Sequence, residues 1–130
     1  MAGIYVDTSA LGRVLLREPD APLVLRALAD FEQRVASRLL GVELRRLALR
    51  TDRLADADQL LAGVALIPLD DDVLALAETI GPSSLATLDA IHLVTAVRAA
   101  RMAGVDSVMT YDRRLADGAR EHGLHVIAPA

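Results

Sequence analysis

Short apolar runs alternate with segments of helical spacing along the chain. Residues 3–6 form the first run, which halts at Asp7, and Leu11, Val14 and Leu15 then recur at helical spacing. The same alternation predicts further strands at residues 33–36, 64–67, 107–110 and 125–127.

Capping and turn residues set the predicted helix bounds. Asp20 is expected to cap a helix that has Pro22 in its first turn and runs through Phe31. The longest helix is expected from Thr87 to Ala103, with Gly104 as the residue that ends it. Further helices are predicted at 38–50, 54–62, from 70–72 to just before 81, and at 113–122.

This order predicts one α/β domain, residues 1–130, with a mostly parallel sheet covered by helices on both faces. Ligands of such sheets bind outside the carboxyl ends of the strands. Asp7 and Asp112 follow two predicted strands directly. They are therefore the first candidate functional residues, although each could also be a simple helix cap.

Composition narrows the chemistry. The absence of cysteine excludes disulfides, thiol nucleophiles and thiolate zinc sites. All 14 basic residues are Arg, which disfavours a P-loop and a phosphoacceptor receiver domain, because both use a Lys. The N-terminal segment lacks a signal-peptide pattern and no apolar run reaches the roughly 18–20 residues of a membrane span, so a cytoplasmic protein is expected.

The formal net charge of −4 is unusual for a protein that binds nucleic acid. The arginines are, however, concentrated in two stretches of the chain. These contain Arg38, Arg45, Arg46, Arg50 and Arg53, and then Arg98, Arg101, Arg113, Arg114 and Arg120. Net charge alone therefore does not exclude a nucleic-acid substrate.

Glu43 lies on or beside the apolar face of its predicted helix. Helical spacing places it with Leu40, Leu44 and Leu47, whereas a surface glutamate belongs on the face of Arg46. A buried carboxylate without a partner is costly. Glu43 should therefore have one, either an arginine in a structural salt bridge or a bound cation.

Asp89 lies in an almost uncharged helix with apolar residues on all sides, so it is expected to be largely buried. Its place near the first turn allows a simple interaction with the helix dipole. That alternative does not explain why an acid occupies so apolar a helix.

Four acids that converge on one sheet edge would repel one another and raise at least one pKa. All-oxygen sites select hard cations such as Mg²⁺ or Mn²⁺, which can activate water and neutralise a scissile phosphate. We therefore expect a metal site at Asp7, Glu43, Asp89 and Asp112. His92 is interpreted as a satisfied, half-buried histidine rather than a ligand, and Asp70, Asp71 and Asp72 as the solvated start of a helix. Asp106 is placed before a strand, at the opposite end from the site.

Four segments of the chain resemble the PIN-domain ribonucleases, in particular the VapC-type toxins of bacterial toxin–antitoxin pairs. The segments are Tyr5-Val6-Asp7-Thr8-Ser9-Ala10-Leu11, Ser37 with Glu43, the stretch 88–96 that contains Asp89-Ala90-Ile91-His92, and Thr110-Tyr111-Asp112-Arg113-Arg114-Leu115. Their order and spacing follow the family pattern across nearly the whole chain.

The resemblance implies a three-layer α/β/α fold with five parallel strands in the order 3-2-1-4-5. It implies Mg²⁺ or Mn²⁺ ligands at Asp7, Glu43, Asp89 and Asp112, with supporting hydroxyls at Ser9 and Thr110. The implied activity is endonucleolytic cleavage of RNA such as tRNA, rRNA or mRNA. The implied partners are a second copy of the chain and a cognate antitoxin of the VapB type.

An apolar groove for the antitoxin is expected on the first two helices, which carry more apolar residues than one core-facing stripe requires. These residues are Leu11, Val14, Leu15, Leu16, Val24, Leu25 and Leu28. Core packing is the alternative for any one of them.

Two other functions remain open. A haloacid-dehalogenase-like phosphatase also has an Asp at the end of its first strand, but it needs a second Asp where this chain has Ser9, and a Lys that is absent. A PIN-like module that binds RNA or protein without cleavage is the non-enzymatic alternative.

Overall fold

The computed structural model describes residues 3–130, so Met1 and Ala2 of the predicted domain lie outside the described residues. Five strands form one parallel sheet in the order β3-β2-β1-β4-β5. They are β1 (Gly3–Val6), β2 (Gln33–Ser37), β3 (Ala65–Ile67), β4 (Val105–Met109) and β5 (His125–Ile127). The helices of the described residues are α1 (Thr8–Leu15), α2 (Ala21–Ala29), α3 (Arg38–Arg50), α4 (Leu54–Ala62), α5 (Asp71–Ala77), α6 (Thr87–Ala103) and α7 (Arg113–Glu121).

The sheet is buried on both faces. Side chains of β1 alternate between the faces, as the pleat requires. Ile4 and Val6 enter a core with residues of α1 to α4, including Leu40, whereas Tyr5 enters a second core with residues of α6 and α7, including Leu93. The predicted three-layer arrangement and strand order are therefore confirmed.

The central strands bring the candidate residues to one edge. β1 pairs with β2 on one side and with β4 on the other. At the carboxyl end, the Asp7 N–H donates to the Met109 carbonyl at 3.0 Å, which continues the ladder. Asp7, Thr110 and the start of α3 therefore meet at the same edge.

Several local predictions need correction. Asp20 is the N-cap residue of α2, as predicted, but its side chain makes no capping hydrogen bond, and its Oδ2 instead accepts a 2.9 Å hydrogen bond from the Arg13 guanidinium. α2 ends at Ala29 rather than Phe31, and β4 begins at Val105, so Asp106 lies within the strand and not before it. The bounds of α6 are as predicted, and Gly104 takes the left-handed conformation at φ 68°.

The apolar groove expected on α1 and α2 is also largely absent. Most of its residues belong to the core, including Leu11, Leu15, Val24 and Leu28, whereas Leu25 is 48% exposed. α1 packs against α2, α3 and α4, and the apolar side chains of all four helices enter the same core as Ile4 and Val6. No helix within residues 3–130 is long and apolar enough to cross a membrane.

Candidate active site

Asp7 is the buried centre of the site, with 4% of its surface exposed. As the N-cap of α1, its Oδ2 accepts the Ser9 backbone N–H at 3.3 Å and the Ser9 hydroxyl at 2.7 Å. The same oxygen accepts the Thr110 hydroxyl at 2.9 Å. Asp7 can therefore cap α1 and also take part in the site, because Oδ2 accepts the capping hydrogen bond and Oδ1 is left for another ligand.

The hydroxyls of Ser9 and Thr110 also fix the segment that carries Asp112. The Ser9 hydroxyl accepts the Tyr111 N–H at 2.9 Å, and the Thr110 hydroxyl accepts the Asp112 N–H at 3.0 Å. Asp112 in turn caps α7, because its Oδ1 accepts the Leu115 N–H at 2.9 Å. The two hydroxyls thus join the ends of β1 and β4.

Glu43 reaches the site from α3 and is half-buried, as its place beside the apolar face predicts. Its partner is not an arginine. Oε1 accepts the Thr8 hydroxyl at 2.6 Å and lies 2.7 Å from Nε2 of His92. Burial opposes ionisation of Glu43, but the hydrogen bonds from His92 and Thr8 outweigh it and lower the pKa of the carboxyl.

His92 is a site residue that the sequence interpretation missed. It is satisfied, as expected, but it is only 1% exposed rather than half-buried. Nδ1 lies 2.6 Å from the Tyr5 hydroxyl, and Nε2 lies 3.6 Å from Oδ1 of Asp7. The available signal was its i+3 spacing from Asp89, which places both residues on one face of α6.

Asp89 lies in the first turn of α6 and is only partly buried, which corrects the expectation of a largely buried side chain. Desolvation, followed by repulsion from Asp112 and Asp7, raises its pKa to about 6. Glu43 adds to this repulsion, whereas His92 opposes it. The acids of four separate elements are therefore close enough to perturb one another.

The hydrogen bonds divide the carboxylate oxygens into two sets. Asp7 Oδ2, Glu43 Oε1 and Asp112 Oδ1 accept protein donors. Their second oxygens, and both oxygens of Asp89, accept no hydrogen bond from residues 3–130. Within the same residues, no group of three or more acidic or histidine side chains is arranged to hold a metal ion as it stands.

The donor chemistry nevertheless fits a hard divalent cation. Four carboxylates supply oxygen ligands, and a bound cation would oppose both causes of the raised pKa of Asp89, which are desolvation and then repulsion from the neighbouring acids. Each held oxygen leaves a second oxygen on the same carboxylate.

Cationic side chains flank this acidic edge. Arg113 and Arg114 are exposed directly after Asp112. The Arg13 guanidinium carbon lies 3.8 Å from the centroid of the Tyr111 ring. A polyanion that reaches the acids would therefore meet arginines beside them.

Comparisons with known proteins found relatives along nearly the whole chain. The model of the PIN domain family matches residues 4–121. Ribonuclease VapC46 of Mycobacterium tuberculosis (strain ATCC 25618 / H37Rv) is 40% identical over 100% of both chains. Ribonuclease VapC47 of Mycobacterium tuberculosis (strain CDC 1551 / Oshkosh) is 39% identical over 97% of this chain and 96% of its own length. Ribonuclease VapC35 of the same species is 32% identical over the same shares.

Proposed function

We propose that this chain, which belongs to the PIN-domain family and to its VapC-type group, is a divalent-metal-dependent endoribonuclease that acts as the toxin of a toxin–antitoxin pair. The observation that carries the proposal is the convergence of Asp7, Glu43, Asp89 and Asp112, from separate elements, on one sheet edge. We further propose that residues 1–130 act as a single domain, and that its location is the cytoplasm, where RNA substrates are found.

The four acids are the proposed ligands of Mg²⁺ or Mn²⁺. The bound cation would supply Lewis acidity, which lowers the pKa of water and neutralises charge on the scissile phosphate. Ser9 and Thr110 hold Asp7 in place, and His92 and Thr8 hold Glu43. These contacts fix the direction of the acids before substrate arrives, which reduces the cost of organising the site.

RNA is the proposed substrate, with arginine contacts to its phosphates. Arg113 follows Asp112 directly and is exposed, which supports a contact with an RNA phosphate near the scissile bond. Arg13, which lies over the Tyr111 ring and pairs with Asp20, is a second candidate for such a contact. Backbone contacts of this kind position a strand without reading its sequence.

The first experiment compares RNA cleavage by the wild type and by Asp7→Asn, with Asp106→Asn as the matched control. Asp106 is exposed near the opposite end of β4, so the control removes the same charge away from the site. We expect Mg²⁺- or Mn²⁺-dependent cleavage by the wild type and the control, and none by folded Asp7→Asn. Full cleavage in excess EDTA would refute the metal mechanism, and RNA binding without cleavage would favour the non-enzymatic alternative.

A homodimer is the proposed assembly, supported by an apolar groove between α5 and α6. Leu76 and Met102 on this groove are 57% and 77% exposed. Asp72 and Arg101 also line it, and Asp72 of one copy can pair with Arg101 of the other across a two-fold axis. Light scattering should give a dimer for the wild type and a monomer for Met102→Glu, whereas a dimeric Met102→Glu would exclude this interface.

The other proposed partner is a VapB-type antitoxin, and its support is membership of the VapC-type group. Co-expression of the tagged chain with the product of a short reading frame beside its gene tests the pairing. We expect a stable complex that no longer cleaves RNA. A complex that retains full cleavage would contradict the inhibitory role.

A further inference from the structure

The Tyr5–His92 pair is buried beneath the proposed metal site. Tyr5 is fully buried and His92 is 1% exposed, and their rings meet edge to face with centroids 6.0 Å apart. The Tyr5 hydroxyl accepts the Ser37 N–H at 3.2 Å, which anchors the pair to the junction of β2 and α3. Strands β1 and β2 and the two helices that carry Glu43 and His92 therefore meet at this pair.

The contacts of the pair determine which ring nitrogen of His92 carries a proton. An ionised carboxylate only accepts hydrogen bonds, so Nε2 of His92 must carry the proton that it donates to Oε1 of Glu43, 2.7 Å away. In the neutral ring, Nδ1 accepts the Tyr5 hydroxyl at 2.6 Å, and in the charged ring it donates to that oxygen. Nε2 carries a proton in both cases, so the direction of this bond does not depend on the charge of the ring.

Stability alone does not explain a histidine at this place. An ionisable ring in the core loses its hydration, and well-packed apolar residues often replace such groups at no cost in stability. The neighbouring inward positions of α6, Leu93 and Ala96, are apolar and buried. What His92 provides, and an apolar residue would not, is a fixed donor for one oxygen of Glu43.

We propose that the Tyr5–His92 pair is a positioning device that holds Oε1 of Glu43 and so presents Oε2 to the other acids. This inference deepens the proposed function and rests on it. His92 is a positioning residue and not a ligand, because its Nε2 proton occupies the position from which the ring would coordinate an ion. Thr8 supplies the second donor to Oε1, and the two donors fix the plane of the carboxylate.

The first test measures Mn²⁺ affinity by calorimetry without RNA. Partners of metal ligands typically contribute about 10- to 100-fold in affinity, so His92→Leu should weaken Mn²⁺ binding within that range. Tyr5→Phe removes only the hydroxyl and should weaken it about 2- to 10-fold, the equivalent of one neutral hydrogen bond. His92→Gln retains a donor and an acceptor and should recover much of the affinity.

Leu93→Val is the matched control, because it perturbs the core that Tyr5 shares with α6 but removes no hydrogen-bonding atom of the pair. It should lower the melting temperature while Mn²⁺ affinity stays within about twofold of the wild type. Unchanged affinity in folded His92→Leu would overturn the inference. Tighter binding in that variant would also overturn it, because a charged His92 ring would then compete with Mn²⁺ for the carboxylates instead of positioning Glu43.

The second test uses nitrogen-15 correlation spectra of the histidine rings, with His92→Gln to assign the signal. A slowly exchanging proton on Nε2 of His92 is expected, and a ring protonated only on Nδ1 would overturn the inference. Asp7→Asn separates the two proposals in the calorimetric test. If the wild type and Asp7→Asn bind Mn²⁺ equally, the proposed metal site fails. If only Asp7→Asn loses binding, the positioning role alone fails.

Discussion

Thr110→Val tests whether the hydroxyls around Asp7 act as one unit. Valine keeps the shape of threonine and removes its buried hydroxyl, which donates to Asp7, accepts the Asp112 N–H and makes a longer, 3.3 Å contact with the Ser9 hydroxyl. A hydrogen bond to a charged group is worth about 1.5–3 kcal/mol, and a neutral one about 1 kcal/mol. We therefore expect Thr110→Val to lower the free energy of unfolding by about 2–4 kcal/mol.

The second variant, Ser9→Ala, allows the coupling energy between the two hydroxyls to be measured. The two hydroxyl oxygens lie 3.3 Å apart and share Oδ2 of Asp7, so their effects should not add. Neighbours in one network typically couple by about 0.5–3 kcal/mol. Urea unfolding of both single variants and the double variant gives this coupling energy directly. Additive effects, with each single change below about 0.5 kcal/mol, would refute a shared network.

Further predictions concern pH, backbone conformation and substrate contacts. In EDTA, Asp89→Asn should raise the melting temperature at pH 7 but not near pH 4. The pKa of Asp89 is raised from 3.8 to about 6, so the protonated side chain contributes fully to the stability of the fold below pH 3.8. This contribution is lost as the pH rises through about 6. Equal effects at both pH values would contradict this repulsion. Gly104→Ala should destabilise the fold by about 1 kcal/mol, because Gly104 has φ 68°, and Gly63→Ala at φ −90° is the control that should not show this loss. Arg113→Ala should raise KM for RNA and reduce the slope of binding against salt by about one, with Mn²⁺ affinity unchanged; an unchanged salt slope would exclude a phosphate contact.

The fold was predictable from sequence because its signals are local. Apolar runs of strand length, alternating with helical spacing, are sufficient for a parallel sheet with helices on both faces. The C-terminal end of α6 followed from Gly104, whose left-handed conformation ends the helix. Asp20 is at the predicted N-cap position, but its side chain does not cap α2, because Arg13 binds its carboxylate across a turn that the pattern does not specify.

The acids of the candidate site were predictable from the sequence, but the side chains that hydrogen-bond to Glu43 and hold it were not. Asp7 and Asp112 follow strands directly, and Glu43 stands out on an apolar face. The burial of Asp89 was overestimated, because the first turn of α6 lies at the open edge of the sheet. His92 and Tyr5 are far apart in the chain, and only the packing of α6 against β1 brings their side chains together.

The metal site itself is tested most directly by a crystal structure of the protein soaked in Mn²⁺, with the ion located by its anomalous scattering. The account predicts an ion among Asp7, Glu43, Asp89 and Asp112, with oxygen ligands at roughly 2.0–2.3 Å. The coordinating atoms should include Oδ1 of Asp7, while Oδ2 keeps its hydrogen bonds to Ser9 and Thr110. An ion bound elsewhere, or an edge that stays empty at saturating Mn²⁺, would contradict the claim that these four acids form the metal centre.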